Sequence, residues 1–164
     1  MKLHLGVIDL PYAYLEKKKA RANKRRKKKG LPPLAGSPTP TTGQVARILE
    51  DKYHIMELFY EDNRNFVGKA LEESLQGSLE DILMGAPVNP TPNPFAEAES
   101  EIQNRFKKFL STREVESLGI PGVPTQAALD GRSSRFKKGK SPTGRRPSFI
   151  DTGLYQSSFK AWTE

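Results

Sequence analysis

Apolar residues between Thr42 and Leu83 recur at helical spacing. Val45, Ile48, Leu49, Tyr53, Met56, Phe59 and Tyr60 fall every three or four positions, which places them on one face of a helix. Glu61–Asn65 interrupts the stripe, and Phe66, Val67, Ala70, Leu71, Leu75, Leu79, Ile82 and Leu83 resume it. The pattern predicts one long helix, or two with a joint near 62–65. Thr41 and Gln44 have the spacing of a capping box at its start, and Gly85 with Pro87 forms the stop. Gly68 and Gly77 each weaken such a helix by about 1 kcal/mol relative to Ala. A further helix is predicted after Asn93, a candidate cap, and Pro94, which suits a first helical position. Its apolar face is Phe95, Ala98, Ile102, Phe106, Phe109 and Leu110. Glu97, Glu99 and Glu101 come early and Lys107, Lys108 and Arg113 late, the order that complements the helix dipole. Thr125 is positioned to cap a short helix through Ala127, Ala128 and Leu129, reaching toward Phe136.

Alternation with a period of two marks the two ends of the chain. In Ser157–Thr163, Ser157, Phe159 and Ala161 alternate with Ser158, Lys160 and Trp162, as in a two-faced strand. Its expected pairing partner is Lys2–Leu10 or a strand of a neighbouring subunit. Between the helices and this strand, Asp151 and Thr152 can cap a turn through side-chain oxygens, and Gly153 relaxes the backbone. The expected fold is therefore α+β: mostly helical, with a small sheet formed by the N- and C-terminal strands, plus extended basic and Pro-rich arms. The chain reads as a single domain over 1–164, with a basic and Pro-rich arm at 17–41, an acidic helical region at 42–118, and a basic loop with a C-terminal turn and strand at 119–164.

Charge is segregated along these divisions. Residues 1–41 carry 11 basic and 2 acidic side chains, residues 42–118 carry 8 and 14, and residues 119–164 carry 8 and 3. An acidic middle flanked by basic arms can bind a polyanion, or the acidic middle of a neighbouring copy. The first arm concentrates Lys17, Lys18, Lys19, Arg21, Lys24, Arg25, Arg26, Lys27, Lys28 and Lys29 in fourteen residues. Like charges at helical spacing repel, so this arm is expected to be mobile alone and to become helical on an anionic surface. No aromatic residue is interleaved, so any contact with nucleic acid is expected to be sequence-blind, through phosphates. Lys140, Arg145 and Arg146 form a second basic loop. Leu31–Pro40 and Ala86–Pro94 read as Pro-rich connectors.

Composition narrows the chemistry. The chain has no cysteine, which excludes disulfides, zinc–thiolate sites and thiol catalysis and fits a reducing cytoplasm. No apolar run approaches a membrane span, and the N-terminus lacks the apolar core of a signal peptide. Asp151-Thr152-Gly153 matches the triplet of aspartic proteases, but that chemistry needs many short strands around paired carboxylates, and the periodicity here is helical. The triplet therefore reads as a turn, and no enzyme activity is expected. His4 and His54 have no partner at ligand or triad spacing, and both read as structural. Glu72-Glu73 and Glu80-Asp81 read as a solvated helix face. No phosphate-cradling glycine loop is present, and no metal or cofactor is expected.

The segment from Arg145 to Glu164 resembles the C-terminal signature of the tail-completion, or neck, proteins of long-tailed bacteriophages. In that family a basic or Pro-rich loop leads into Thr-Gly, with a bulky residue three positions after the Thr and a Ser six positions after it, just before a strand. Here these are Thr152, Gly153, Tyr155 and Ser158; the family more often has Leu where Tyr155 stands. The resemblance covers about the last third of the chain. It implies a virion structural protein at the head–tail junction, assembled in the host cytoplasm and forming a homo-oligomeric ring around the DNA channel. Its partners would be the portal or adaptor on one side and the tail tube or terminator on the other. The expected subunit contacts are Asp151, Thr152, Gly153, Tyr155, Phe159 and Trp162, with non-specific contact to packaged DNA through the basic arms. A tail terminator or baseplate protein, or a sequence-independent nucleic-acid-binding protein acting alone, are the alternatives.

Overall fold

The computed structural model describes residues 1–33, 39–85, 93–132 and 144–164. The elements run in the order β1 (Leu3–Val7), α1 (Ala13–Lys28), α2 (Thr42–Tyr53), α3 (Ile55–Asp62), α4 (Arg64–Leu83), α5 (Ala96–Ser111), α6 (Glu114–Ser117), α7 (Gln126–Leu129), α8 (Leu154–Ser158) and β2 (Phe159–Thr163). The fold is α+β, with one antiparallel pair joining the two ends of the chain.

The sheet is built by side-chain alternation. Leu3 pairs with Thr163, Leu5 with Ala161 and Val7 with Phe159. Phe159 and Ala161 are buried, and Leu3, Leu5 and Val7 pack on the same core, while Lys160 and Trp162 face outward. β2 begins at Phe159 rather than Ser157, because Ser157 and Ser158 complete the helical turn α8: the Ser157 N–H donates to the Gly153 carbonyl at 2.9 Å.

The core is aromatic. Phe106 stacks on Phe159 with ring centroids 3.8 Å apart and planes 14° apart. Phe59 meets Phe106 edge-on at 5.1 Å and Phe109 at 5.5 Å, and Tyr155 meets Phe106 at 6.1 Å. Such tilted and offset contacts follow the ring quadrupole and add about 0.5–1.5 kcal/mol per pair beyond area burial. Helices α3, α5 and α8 and strand β2 thus converge on one point.

The predicted joint near 62–65 is present at Asn63, whose buried side-chain amide donates to the Phe59 carbonyl at 2.9 Å. A second joint lies at His54, where φ is 50°. The capping box forms as expected: Gln44 N–H donates to Thr41 Oγ1 at 3.4 Å, and Thr41 N–H to Gln44 Oε1 at 3.2 Å. Asn93 does not occupy the cap of α5; Phe95 does, and Asn93 Oδ1 accepts from the Phe95 N–H at 3.0 Å in a local turn. Thr125 caps α7 through the Ala128 N–H at 3.3 Å. The expected extension toward Phe136 lies outside the described residues.

The expectation that Ile48 and Leu75 join the core is overturned. Ile48 is 62 % exposed and Leu75 40 %, so neither joins the core, and Leu79, Ile82, Leu83 and Met84 are exposed as well. In α4 the buried residues are Val67, Ala70 and Ser74, with Leu71 packed against the core. Residues Ala13–Lys28, which hold most of the basic arm's cations, form α1. Its cationic last turn, Arg25–Lys28, suits the negative end of the dipole.

Candidate functional site

The Thr152–Ser158 segment folds as one unit. Thr152 Oγ1 accepts from the Leu154 N–H at 3.2 Å. Gly153 takes φ 78° at the start of α8, a left-handed conformation that costs a side-chain-bearing residue about 1–2 kcal/mol. One turn later, buried Ser158 donates its hydroxyl to the Tyr155 carbonyl at 2.9 Å. The chain then enters β2 with Phe159 inside. Tyr155 and Phe159 are therefore spent on this chain's own core rather than offered to a neighbour. Asp151, Thr152 and Gly153 remain half-buried.

These three residues line a cleft of about 450 Å³ whose opposite wall is Val45, Leu49 and Tyr53 of α2. The Tyr155 ring lies at the same cleft. Burial raises the Tyr155 phenol far above its ordinary value, with further contributions from Glu50 and Tyr12. Its hydroxyl keeps its proton at neutral pH and has no hydrogen-bond partner among the described residues. The lining is mainly apolar but includes Asp151 and Arg146, and with a neutral phenol the cleft is suited to an apolar side chain.

Two cations of the basic loop, Arg145 and Arg146, are engaged within the chain. Arg145 pairs with Glu116. Arg146 donates from Nε to the Arg132 carbonyl at 2.8 Å and from Nη1 to the Ile150 carbonyl at 2.7 Å. Neither guanidinium is the free phosphate contact that the sequence pattern suggested; they fasten this loop to the body. Lys140 lies outside the described residues.

Glu116 was not anticipated as a functional or structural centre. Its carboxylate, 6 % exposed, accepts from the Ser148 N–H and Oγ–H as well as from Arg145. Burial pushes its pKa upward, but the two Ser148 hydrogen bonds and Arg145 outweigh it, and the net shift is down from 4.5. The acid on α6 and the serine 32 positions later have no periodic relationship in the sequence.

The cations of α1 are a different case. Lys17, Arg21, Lys24, Arg25, Lys27, Lys28 and Lys29 are exposed, and Lys19 and Arg26 half-exposed; Lys18 lies in the same helix. α1 leaves the body at Pro11–Tyr12 and the chain returns at Thr41, where Pro11 and Thr41 form a β-bridge. Beyond that base it makes no extensive contact with another described helix or strand, although Ala22 and Arg26 lie on a half-buried face.

His54 has partners that were not expected. Its Nδ1 lies 3.0 Å from Glu57 Oε2, and the ligand atoms of Glu50, His54 and Glu57 lie within 4.8 Å of one another. The spacing of four and then three residues was the available signal. The Glu50 carboxylate also accepts from the Met56 and Glu57 N–H groups at 2.9 and 3.1 Å, so the trio locks the α2–α3 joint. At the sheet, His4 stacks on Trp162 at 5.3 Å, and its Nε2 lies 3.3 Å from Glu164. No helix among the described residues is long and apolar enough to cross a membrane.

No family model, characterised protein or solved structure compared with this chain matches it.

Proposed function

We propose that this chain is a structural protein of a tailed-phage virion, placed at the head–tail junction, where copies form a ring around the DNA channel and join the connector to the tail. The observation that carries this reading is the Thr152–Thr163 unit. Every residue of the neck-protein signature has a structural duty here: Thr152 closes the turn, Gly153 supplies the left-handed backbone, Tyr155 plugs the core, and Ser158 ends the helical turn before the strand. The turn, plug and strand form a cooperative device that holds the chain's two ends together and sets one wall of an apolar cleft. The exposed cations of α1 and the acidic middle suit a protein that meets charged surfaces on more than one side. In this reading the chain is not an enzyme, and Asp151 is part of a turn.

The experiment is native mass measurement of the purified full chain at low and high salt, with negative-stain electron microscopy. Closed rings with a central channel are expected. A protein that stays monomeric at every concentration, and gains mass only on adding duplex DNA, overturns the neck reading in favour of a solitary nucleic-acid-binding protein. The exposed helix α1 is the feature that favours this second reading.

A further inference from the structure

Two helices are each poorly matched to their own surroundings, and each has what the other lacks. In α4 the stretch 72–83 holds Glu72, Glu73, Glu80 and Asp81 and no basic residue; Glu73 pairs with Lys69 one turn earlier at 3.3 Å, and Glu80 accepts from Gln76 Nε2 at 2.9 Å. These acids approach the negative end of the helix dipole, and the last turn of α4 has no cation to offset them. Beside Glu72 and Glu80 on the helix surface runs an exposed stripe, Leu75, Leu79, Ile82 and Leu83, with 40–85 % exposure. In α1, the exposed cations Lys17, Arg21, Lys24, Arg25, Lys27 and Lys28 crowd one broad face and repel one another, opposite a half-buried face at Ala22 and Arg26, and the helix makes no extensive contact with another described helix or strand.

Resting on the ring reading above, we infer that α1 of one copy docks on the 72–83 half of α4 in the next copy. Lysine and arginine side chains suit such a surface: their methylene stems can cover the leucine stripe while their charged heads reach the flanking carboxylates. The lengths agree, since α1 spans about 24 Å and the free half of α4 about 18 Å at 1.5 Å per residue. Duplex DNA would satisfy α1 but leave the α4 stripe uncovered. One protein–protein contact answers both helices. The contact joins different faces of two copies, so it leaves one α1 and one α4 free at the ends and propagates until rotation closes a ring.

The test uses the full chain with two sets of exposed substitutions: Lys24→Glu, Arg25→Glu and Lys28→Glu in α1, and Glu72→Lys, Glu80→Lys and Asp81→Lys in α4. Self-association is measured by sedimentation velocity, and circular dichroism checks the fold. Each set alone is expected to weaken association by about tenfold or more, and both sets in one chain should restore it, because charge complementarity is re-established in reverse. Rings that persist unchanged in both variants overturn this contact and leave the ring reading standing. A wild-type chain that never associates overturns both. Loss of duplex binding in the α1 variant, with association intact in both, assigns α1 to DNA and overturns the contact. Because the chain has no native thiol, Lys24→Cys on one copy and Glu80→Cys on another give a second readout even if a charge variant misfolds. A disulfide between copies on mild oxidation is expected, and its absence in chains that still associate overturns the pairing.

Discussion

The Ser148 backbone N–H and hydroxyl both donate to one oxygen of Glu116, at 2.9 and 2.8 Å. Ser148 is fully buried, and its Oγ also accepts from the Thr125 N–H at 3.3 Å. A single carboxylate on α6 therefore fixes the loop that feeds the Asp151–Gly153 turn.

Replacing Glu116 by Ala leaves the buried Ser148 groups without their acceptor. The expected cost is about 1–3 kcal/mol, read as a lower denaturation midpoint. The effect carries a pH signature. The folded-state pKa of Glu116 lies below its ordinary 4.5, so the folded chain holds the ionised form more tightly than the unfolded chain does. That stabilisation is complete above the ordinary carboxylate range and is lost as pH falls through the folded value. Glu114, held down first by its hydrogen bond from Arg105, has the same sign. Urea midpoints measured from pH 7 to pH 3 should fall for the wild type and fall less for Glu116→Ala.

Phe106 touches Phe59, Phe109, Tyr155 and Phe159 and is fully buried. Phe106→Ala should cost about 3–5 kcal/mol. Ile48→Ala should fall within about 0.5 kcal/mol of wild type, as exposed positions generally do. Chemical denaturation of the two variants checks both values, and equal losses would contradict this division of core from surface.

Gly131 adopts φ 62°, and a Cβ there would lie 2.0 Å from the Gly144 carbonyl oxygen. That neighbour is backbone and cannot rotate away. Gly131→Ala should destabilise by more than the roughly 1–2 kcal/mol of the left-handed conformation alone. Gly30→Ala has a similar φ but open space around it, and should show only the conformational part. Thermal melts of the pair separate the two contributions.

Removing residues 152–164 takes away α8, β2 and Phe159. Loss of the β1–β2 pair and of one wall of the aromatic core should abolish ring assembly before it abolishes helical circular dichroism. Normal particles with heads joined to tails in a phage carrying this truncation would sink the neck reading. Asp151→Asn should leave assembly unchanged, whereas it would abolish activity in an aspartic protease.

Much of this fold could be read along the chain because it rests on local rules. The capping box at Thr41, the charge order of α5, the alternation of β2 and the Gly153 turn each depend on residues within a few positions. The partner of the terminal strand was not legible in the same way: an alternating segment can pair with the N-terminal run or with a neighbouring copy, and the β1–β2 register decides for the former. Burial was another matter. Ile48 and Leu75 carry the same periodic signal as Phe59, yet α5 and the sheet cover only part of that face, and periodicity cannot say where a neighbouring element stops. The functions of Arg145 and Arg146 were likewise undecidable from charge. A guanidinium is a phosphate ligand or an internal clamp according to what stands opposite it, and Glu116 and the Arg132 and Ile150 carbonyls arrive only when distant segments meet. The same holds for α1. Its cations were evident, but that they stand on a helix projecting from the Pro11–Thr41 bridge is decided by the tertiary structure, because the bridge joins residues 30 positions apart.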